Sequence, residues 1–345
     1  MPRLLAFAVL MFLSFVSLAR AADFQVDARS AIALNMSTGQ ILFEQNAAEP
    51  IPPASLTKIM TMYLVYEQIE QGKLGYQDKV KISDNAEHAG GSRMGAKAGQ
   101  EITVSALLEG MAVASANDAC VAIAEHLSGG HEAFVQKMNE KAETLGMSGS
   151  KFYNSNGMPA KGQFTTARDM LRLAVDYLQR FPHSLKLHSQ EVSTHDDWVR
   201  HNRNRLLGVC EGVDGLKTGF VRASGYNLIS TAQRKGTRIV AVLLGATTAR
   251  IRNEETRKTL EAAFAGQLTA KDLAVKDSGP KIVWQVVNAD APVPAKTAEP
   301  APLPSTPATK AQTLPQNGAL VRILKSQLVV KHSRPIDEDD KENAD

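Results

Sequence analysis

Ser55-Leu56-Thr57-Lys58 lies where a proline-marked loop, Pro52-Pro53-Ala54, enters an apolar-periodic stretch that runs from Ile59 to Ile69. This context predicts a helix that has Ser55 in its first turn and Lys58 one turn later on the same face. Residues three apart on a helix are neighbours, so a lysine kept neutral by burial or by nearby positive charge can accept the serine proton. The helix amino terminus also favours negative charge that develops beside it. The stretch therefore predicts a nucleophile and its proton acceptor.

The four-residue pattern is not specific by itself. It recurs at Ser148-Gly149-Ser150-Lys151, in a glycine-rich turn, and at Ser278-Gly279-Pro280-Lys281, in a polar stretch with a proline. Neither of these opens a long amphipathic helix. For Ser55 and Lys58, a serine helix cap beside a solvated lysine is the alternative interpretation, so the rest of the chain has to decide between the two.

The first 21 residues have the three-part pattern of a secretory signal peptide. Arg3 precedes an apolar run from Leu4 to Leu18, and Ala19-Arg20-Ala21 offers a cleavage site of the small-x-small type before Ala22. We therefore predict an exported protein of the periplasm or cell envelope. An uncleaved membrane anchor is the alternative interpretation of the same segment.

Charge and cysteine content argue against a nucleic-acid-binding protein and against a scaffold built on disulfides. The formal net charge of the 345-residue chain is +3, and it falls to +1 without residues 1–21, because that segment holds Arg3 and Arg20 and no acid. A chain so close to neutrality has no electrostatic basis for binding nucleic acid. Cys120 and Cys210 do not make a disulfide framework, although export leaves one disulfide between them open. No spacing of cysteine and histidine suits zinc, and we predict neither a metal nor a cofactor.

Strand-like runs flank a helical middle region. Residues 31–36 and 41–45 predict one β-hairpin, and residues 226–232 and 238–245 predict a second. We therefore predict an α/β fold in which the N- and C-terminal strands form one antiparallel sheet, flanked by helices, with a helical subdomain inserted between them. This domain would span residues 22–266. After the Ser55 helix, the predicted helices are 105–113, 118–127, 131–145, 167–180 and 253–265.

The chain beyond residue 266 has a different composition. We predict a short extension at 267–290 and, at 291–317, a disordered linker rich in proline and alanine that cannot bury enough apolar surface to fold. In residues 318–345, three leucines repeat at four-residue spacing among basic residues. This pattern predicts a short amphipathic helix in peripheral contact with a membrane surface, followed by an acidic tail.

Two further motifs follow the first in the chain. Ser115-Ala116-Asn117 lies in a tight connection between two predicted helices, and Lys217-Thr218-Gly219 comes just before the C-terminal hairpin. Serine-x-x-lysine at a helix start, serine-x-asparagine in a helical connection and lysine-threonine-glycine on a strand form the triple signature of penicillin-recognising acyl-serine enzymes. On these motifs the chain resembles the low-molecular-mass penicillin-binding proteins, the serine-type D-alanyl-D-alanine carboxypeptidases. The resemblance implies a β-lactamase/transpeptidase-like fold.

The resemblance covers about residues 24–266 and includes several more blocks in the family's order. A second Ser-Asp-Asn sequence, Ser83-Asp84-Asn85, follows a strand-like run and is interpreted as a helix cap rather than as part of the site. The additional family-like blocks are Gly91-Ser92-Arg93-Met94, Asn202-Arg203-Asn204, Gly215-Leu216 and Ser224-Gly225-Tyr226-Asn227-Leu228.

The resemblance assigns roles in acyl transfer to five side chains. Ser55 would attack the carbonyl between the two terminal D-alanines of a peptidoglycan stem peptide, and Lys58 would accept its proton. Ser115, Asn117 and Lys217 would relay the proton to the leaving D-alanine and hold the substrate. β-Lactam antibiotics would acylate the same serine as covalent inhibitors.

Substrate binding would use the third motif and its surroundings. Thr218, with help from Arg203, would receive the substrate carboxylate. The backbone N–H groups of Ser55 and of Phe220, which follows Gly219, would form the oxyanion hole.

Three alternatives remain open. Many carboxypeptidases of the family have histidine where this chain has Phe220, a substitution also seen in related endopeptidases, which leaves cleavage of D-alanyl cross-links open. A class A β-lactamase would need a deacylating glutamate in residues 154–166, which contain none. A non-catalytic wall-binding protein would have lost a catalytic serine or lysine, and all the catalytic residues named above are present.

The second, all-β domain of the better-known carboxypeptidases is not recognisable in this sequence.

Overall fold

The computed structural model describes residues 24–195 and 198–268. Its largest sheet has five antiparallel strands in the order β2–β1–β9–β8–β7. Two smaller antiparallel sheets pair β3 with β4 and β5 with β6. In chain order, the strands are β1 (Ser30–Asn35), β2 (Gln40–Gln45), β3 (Lys79–Lys81), β4 (Glu101–Thr103), β5 (Val192–His195), β6 (Trp198–His201), β7 (Val213–Val221), β8 (Gly225–Arg234) and β9 (Thr237–Ala246).

The N- and C-terminal strands share one sheet, as the sequence predicts. β1 pairs with β9 along its whole length, from Ser30 opposite Leu244 to Asn35 opposite Ile239. The C-terminal part contributes three strands rather than a hairpin alone, because β7 pairs with β8 and brings Lys217 opposite Ile229. The two small sheets were not predicted, since strands of three or four residues are too short to show a period.

Helices cover both faces of the large sheet. Side chains alternate between the faces of a strand, and in β1 Ala31 and Ala33 pack with Leu260 of α8, while Ile32 and Leu34 are buried on the other side. There α6 packs against β1, β8 and β9. The helices are α1 (Thr57–Glu70), α2 (Asp84–Glu87), α3 (Val104–Glu109), α4 (Asn117–Ser128), α5 (His131–Thr144), α6 (Ala167–Arg180), α7 (Leu185–His188) and α8 (Ala249–Phe264), with 3₁₀ turns at Ala54–Leu56 and Pro182–Ser184 and a π turn at Gly110–Ala114.

The helices α1 to α7 lie between β2 and β7 in the chain and include the predicted inserted subdomain. Ser83 caps α2, because its Oγ accepts the Ala86 N–H at 3.0 Å, which supports its interpretation as a helix cap. Cys120 and Cys210 are both free and buried, so the disulfide that export left open is not formed.

Several predictions lie outside the described residues. They are the signal peptide at 1–21, nearly all of the extension at 267–290, the linker at 291–317, and the amphipathic segment with its acidic tail at 318–345. Of the helices in the described part of the chain, none combines the length and apolar character needed to span a bilayer.

Candidate active site

Ser55 is the central residue of the 3₁₀ turn Ala54–Leu56, which leads directly into α1. The preceding residue, Ala54, has φ 49°, in the left-handed region that non-glycine residues rarely adopt. Lys58 lies in the first turn of α1, and its Nζ is 3.1 Å from Ser55 Oγ. The first motif therefore folds with its serine and lysine in contact.

Lys58 is fully buried, and fixed acceptors surround its amine. Its Nζ lies 2.6 Å from Asn117 Oδ1 and 2.6 Å from the backbone carbonyl oxygen of Asn156. The pKa of Lys58 is lowered from 10.5 to about 8, mainly by burial; Cys120 and Asp118 act to raise it, and the charge of Arg203 acts to lower it. A substantial neutral fraction therefore exists near physiological pH, as a proton acceptor requires.

The second motif lies where the π turn ends and α4 begins. Ser115 closes the π turn with φ 58°, and Asn117 is the first residue of α4. The Asn117 side chain is fixed at both ends, because its Oδ1 faces Lys58 while its Nδ2 donates to the Gly90 carbonyl at 2.6 Å. Ser115 is 3 % exposed, and within the described residues its hydroxyl makes no hydrogen bond.

Asp118 holds the loop that runs past Asn117. Its carboxylate is fully buried and accepts backbone N–H groups from Met94, Gly95 and Ala96 at 2.9–3.1 Å. The Asn117 N–H donates to the carbonyl of Ser92, in the same loop, at 2.7 Å. This contact explains the block at residues 91–94 that the sequence had placed among the family-like features.

The third motif lies on β7, an edge strand of the large sheet, beside Ser55. A Cβ on Gly219 would lie 3.1 Å from the Ser55 backbone nitrogen and 3.2 Å from the Pro53 carbonyl oxygen. Only glycine allows this close approach without displacement. Thr218 is buried, and the half-buried ring of Phe220 packs on Tyr226 with ring centroids 4.4 Å apart.

Lys217 and Arg203 give the site a positive field. Lys217 is 2 % exposed, and burial, together with the charges of Lys58 and Arg203, lowers its pKa well below the ordinary value. Arg203 itself is exposed. An anion between these groups would relieve their mutual repulsion.

The block Asn202-Arg203-Asn204 is a polar turn whose asparagines brace the backbone. Asn202 Nδ2 donates to the carbonyls of His188 and Gln190, and Asn204 Nδ2 donates to the Gly215 carbonyl at 3.1 Å. The turn thereby fixes Arg203 next to β7. The two asparagines therefore have a structural role, and Arg203 between them remains available to bind a substrate.

Two contributors to the site were not identified from the sequence. The Asn156 carbonyl is a backbone group, and no residue pattern marks such an acceptor. Asn227 is fully buried; its Nδ2 donates to the Pro52 carbonyl at 3.4 Å, and its Oδ1 accepts the Gly245 N–H at 2.9 Å. It ties the loop before Ser55 to β8. Asn227 lies in a family-like block, which was the available signal.

The described residues contain no cluster of histidine, cysteine, aspartate and glutamate side chains that could hold a metal ion. Some of the predicted site residues touch one another, and others interact through their charge. Ser55, Lys58 and Asn117 are in direct contact, and Gly219 adjoins Ser55. Arg203 acts through its charge on both Lys58 and Lys217, and Lys58 acts in the same way on Lys217.

The sequence and the fold match known proteins. The sequence profile of Peptidase S11, D-alanyl-D-alanine carboxypeptidase, matches residues 17–248. The chain is 38% identical over 255 residues to D-alanyl-D-alanine carboxypeptidase DacF of Bacillus subtilis, which is 71% of this chain and 64% of the relative. It is also 38% identical over 246 residues to DacC of Escherichia coli, covering 69% of this chain and 62% of the relative. Both matches span less than two thirds of the relative's length.

Solved structures show the same fold. Penicillin-binding protein 5 of Haemophilus influenzae is 33% identical, with a TM-score of 0.69 over 71% of this chain and 73% of that protein. Penicillin-binding protein D2 of Listeria monocytogenes, solved in an ampicillin-bound form, is 32% identical, with a TM-score of 0.62 over 70% of this chain and 99% of that protein. The β-lactamase/transpeptidase-like fold is therefore confirmed, and the chain belongs to the Peptidase S11 family of D-alanyl-D-alanine carboxypeptidases.

Proposed function

We propose that this protein is a serine-type D-alanyl-D-alanine carboxypeptidase that removes the terminal D-alanine of peptidoglycan stem pentapeptides through an acyl-serine intermediate. The observation that carries the proposal is the contact of Lys58 Nζ with Ser55 Oγ at 3.1 Å, in a fully buried setting that favours the neutral amine. The names of the curated relatives agree with this activity.

The geometry supports proton transfer from Ser55 to Lys58. A neutral amine has two N–H bonds and one lone pair, and Asn117 Oδ1 and the Asn156 carbonyl can only accept hydrogen bonds. If these two acceptors take the N–H bonds, the lone pair is left to face Ser55 Oγ. The serine oxygen then bonds to the substrate carbonyl carbon as its proton passes to Lys58, giving a tetrahedral oxyanion.

Collapse of that intermediate breaks the amide bond and releases D-alanine. We propose that the proton on Lys58 reaches the leaving nitrogen through Ser115, whose hydroxyl makes no hydrogen bond within the described residues. The N–H groups of Ser55 and Phe220 would stabilise the oxyanion. Water then attacks the acyl-enzyme, which frees Ser55 and the shortened peptide.

The positive field supports binding of the substrate through its terminal carboxylate. The pKa of Lys217 is lowered by burial and by the charges of Lys58 and Arg203. The terminal carboxylate of a stem peptide would favour the charged form of all three groups. We therefore assign its binding to Thr218 and Arg203, with Lys217 holding the substrate beside Ser55.

β-Lactams should acylate Ser55 and leave slowly. Residues 154–166 contain no carboxylate, and the group that this segment presents to Lys58 is a backbone carbonyl. A class A β-lactamase would require a glutamate there to activate water. The antibiotic is thus expected to be an inhibitor rather than a substrate, which argues against the β-lactamase alternative.

Endopeptidase action on D-alanyl cross-links is the second candidate. The observation that favours it is Phe220, which packs on Tyr226 at the end of the third motif where many carboxypeptidases have histidine. An apolar ring there offers no proton donor to the substrate. A cross-linked dimer and a pentapeptide would therefore have to be compared directly as substrates.

We place this activity in the cell envelope, because peptidoglycan lies outside the cytoplasm. The signal-peptide pattern of residues 1–21 supports export to the periplasm. The leucine repeat of residues 318–332 supports peripheral contact with a membrane surface.

The test is intact-mass measurement of residues 22–345 after incubation with benzylpenicillin, followed by an assay of D-alanine release from a pentapeptide. We expect one adduct per chain in the wild type and none in Ser55→Ala. Ser83→Ala is the matched control, because Ser83 belongs to the other Ser-Asp-Asn sequence and caps a surface helix; it should form the adduct normally.

The outcomes separate the candidates. An adduct with release of D-alanine supports the carboxypeptidase, and an adduct with cleavage of cross-linked dimers alone supports the endopeptidase. A folded wild-type protein that forms no adduct would contradict the acyl-serine chemistry and would favour the non-catalytic alternative.

A further inference from the structure

His131, the first residue of α5, contacts the loop that lies behind Lys58. Its Nε2 is 3.3 Å from the backbone nitrogen of Ser155 and 3.1 Å from Ser155 Oγ. A backbone N–H can only donate, so Nε2 must carry a lone pair and Nδ1 the proton. The geometry thus defines a neutral imidazole in a single tautomer.

Ser155 is fully buried and is held on three sides. Its carbonyl accepts a hydrogen bond from Thr61 Oγ1 at 2.6 Å, and its hydroxyl donates to the Cys120 carbonyl at 3.2 Å. The next residue, Asn156, places its carbonyl 2.6 Å from Lys58 Nζ. His131 is therefore connected to Lys58 through two adjacent residues of the chain.

The Asn156 carbonyl matters because it helps to set the direction of the Lys58 lone pair. The Asn117 side chain fixes one N–H of the neutral amine, and one contact alone leaves the amine free to rotate about it. The second acceptor removes this freedom and turns the lone pair toward Ser55. A shift of the loop would release this constraint.

We propose that His131 is a positioning residue for acylation: its neutral imidazole holds Ser155 so that the Asn156 carbonyl stays on Lys58, and protonation of His131 releases the loop. The proposal rests on the proposed acyl-serine function. When Nε2 gains a proton it becomes a donor and faces the Ser155 N–H, which is also a donor. The backbone hydrogen bond at 3.3 Å is then lost, and the new N–H can donate only to Ser155 Oγ, 3.1 Å away. The imidazole then holds the side chain of Ser155 and no longer its backbone, which is the part that positions the Asn156 carbonyl.

The surroundings of His131 keep it neutral at physiological pH. Burial lowers its pKa from 6.5, whereas Glu125 on α4 and Glu132 on α5 act in the opposite direction. The N-terminal end of α5 also disfavours a cation there. The loop residues Ser155–Met158 carry no ionisable side chain, and Lys58 lies on the far side of that loop.

The test is the rate constant of acylation by a fluorescent penicillin, measured between pH 5 and pH 8 in three variants. His131→Gln keeps an acceptor and cannot titrate, so its rate at pH 7.5 should stay close to that of the wild type. His131→Ala leaves the Ser155 N–H without a partner and should acylate about tenfold more slowly. His126→Gln replaces an exposed histidine of α4 and serves as the matched control.

The pH profile distinguishes positioning from a merely structural role. In the wild type and in His126→Gln, the rate should fall more steeply than first order in acid below pH 6.5, because His131 and Lys58 both become protonated. In His131→Gln it should stay first order. Identical profiles for wild type and His131→Gln would overturn the proposal, even if His131→Ala did not fold. A wild type that is never acylated would instead refute the proposed function.

Discussion

At the scale of single residues, the site depends on a lysine kept partly neutral in a place where its two N–H bonds have fixed acceptors. Asn117 Oδ1 and the Asn156 carbonyl are both 2.6 Å from Lys58 Nζ. Desolvation lowers the pKa of the amine, and the acceptors orient it. The sequence predicted the lysine and the asparagine, but it could not predict a backbone carbonyl that comes from a loop 98 residues away in the chain.

The pKa of Lys58 predicts the pH dependence of acylation. Because the neutral amine is the active form and its pKa is about 8, the rate constant of acylation should rise about tenfold per pH unit below pH 8 and level off above it. Stopped-flow measurements with a fluorescent penicillin between pH 6.5 and pH 9.5 would check this. A rate that is flat from pH 6.5 to pH 8 would show that Lys58 is not the proton acceptor.

The close contact between Gly219 and the Ser55 turn predicts that a larger residue at position 219 slows acylation. In Gly219→Ala, the new methyl group would lie 3.1 Å from the Ser55 nitrogen, so β7 and the turn must move apart. A shift of a few tenths of an ångström should slow acylation by about tenfold. The measurement is again the rate of penicillin acylation. Gly130→Ala is the control, because that glycine has open space around it and an extended φ of 174°; it should acylate at the wild-type rate.

At the scale of elements, the site is assembled where helix starts meet an edge strand. α1 presents Lys58, α4 presents Asn117, and β7 presents Gly219. The sequence predicted the two helices, because a run of ten or more residues shows a clear period, whereas β7 was expected only from its lysine-threonine-glycine motif. It did not predict β4 to β6, which are short, or the π turn before Ser115, which differs from an α-helix only in its hydrogen bonds.

The hydrogen bonds of Asp118 predict that its carboxylate stabilises the loop beside α4. Its two carboxylate oxygens accept four backbone N–H groups, those of Met94, Gly95, Ala96 and Ala119. In Asp118→Asn, an amide nitrogen would face part of this set, and buried donors would lose their acceptor. We expect the free energy of unfolding to fall by about 3 kcal/mol.

Urea unfolding followed by circular dichroism would measure this loss. Asp84→Asn is the control, since Asp84 is exposed on α2, and its effect should stay within about 0.5 kcal/mol. A loss as small as that in Asp118→Asn would mean that the carboxylate does not hold the loop.

At the scale of the whole molecule, the large sheet and its helices bury ionisable groups that make stability depend on pH. His188, the last residue of α7, is fully buried. Its Nδ1 donates to the Leu216 carbonyl of β7 at 3.1 Å, and its Nε2 accepts from the Tyr177 hydroxyl of α6. Burial, assisted by the charge of Lys217, lowers the pKa of His188 from 6.5 to about 3. The folded protein therefore binds a proton here less readily than the unfolded chain does.

This difference predicts a loss of stability in acid. Below pH 6.5 the unfolded chain binds a proton at His188, whereas the folded protein does not bind it until about pH 3. The free energy of unfolding should therefore fall from pH 6.5 towards pH 3. The slope from this residue is at most about 1.4 kcal/mol per pH unit. In His188→Gln the curve should be flatter in this range, whatever its absolute level. His126→Gln, at an exposed site, should keep the wild-type slope, and an unchanged slope in His188→Gln would contradict the assignment.

The position of the Ser55 turn also affects whether copies of the protein associate. A strand at the edge of a sheet can pair with another chain and so start aggregation. β7 is such a strand, yet Gly215 to Gly219 are buried, and the turn Ala54–Leu56 lies against Gly219. Because a Cβ points out of the plane of the sheet, the turn packs on the face of β7 at its Gly219 end. A substitution that loosens the turn should let this end of the strand fray and offer its backbone groups to another chain, so loss of acylation and loss of solubility are expected to occur together.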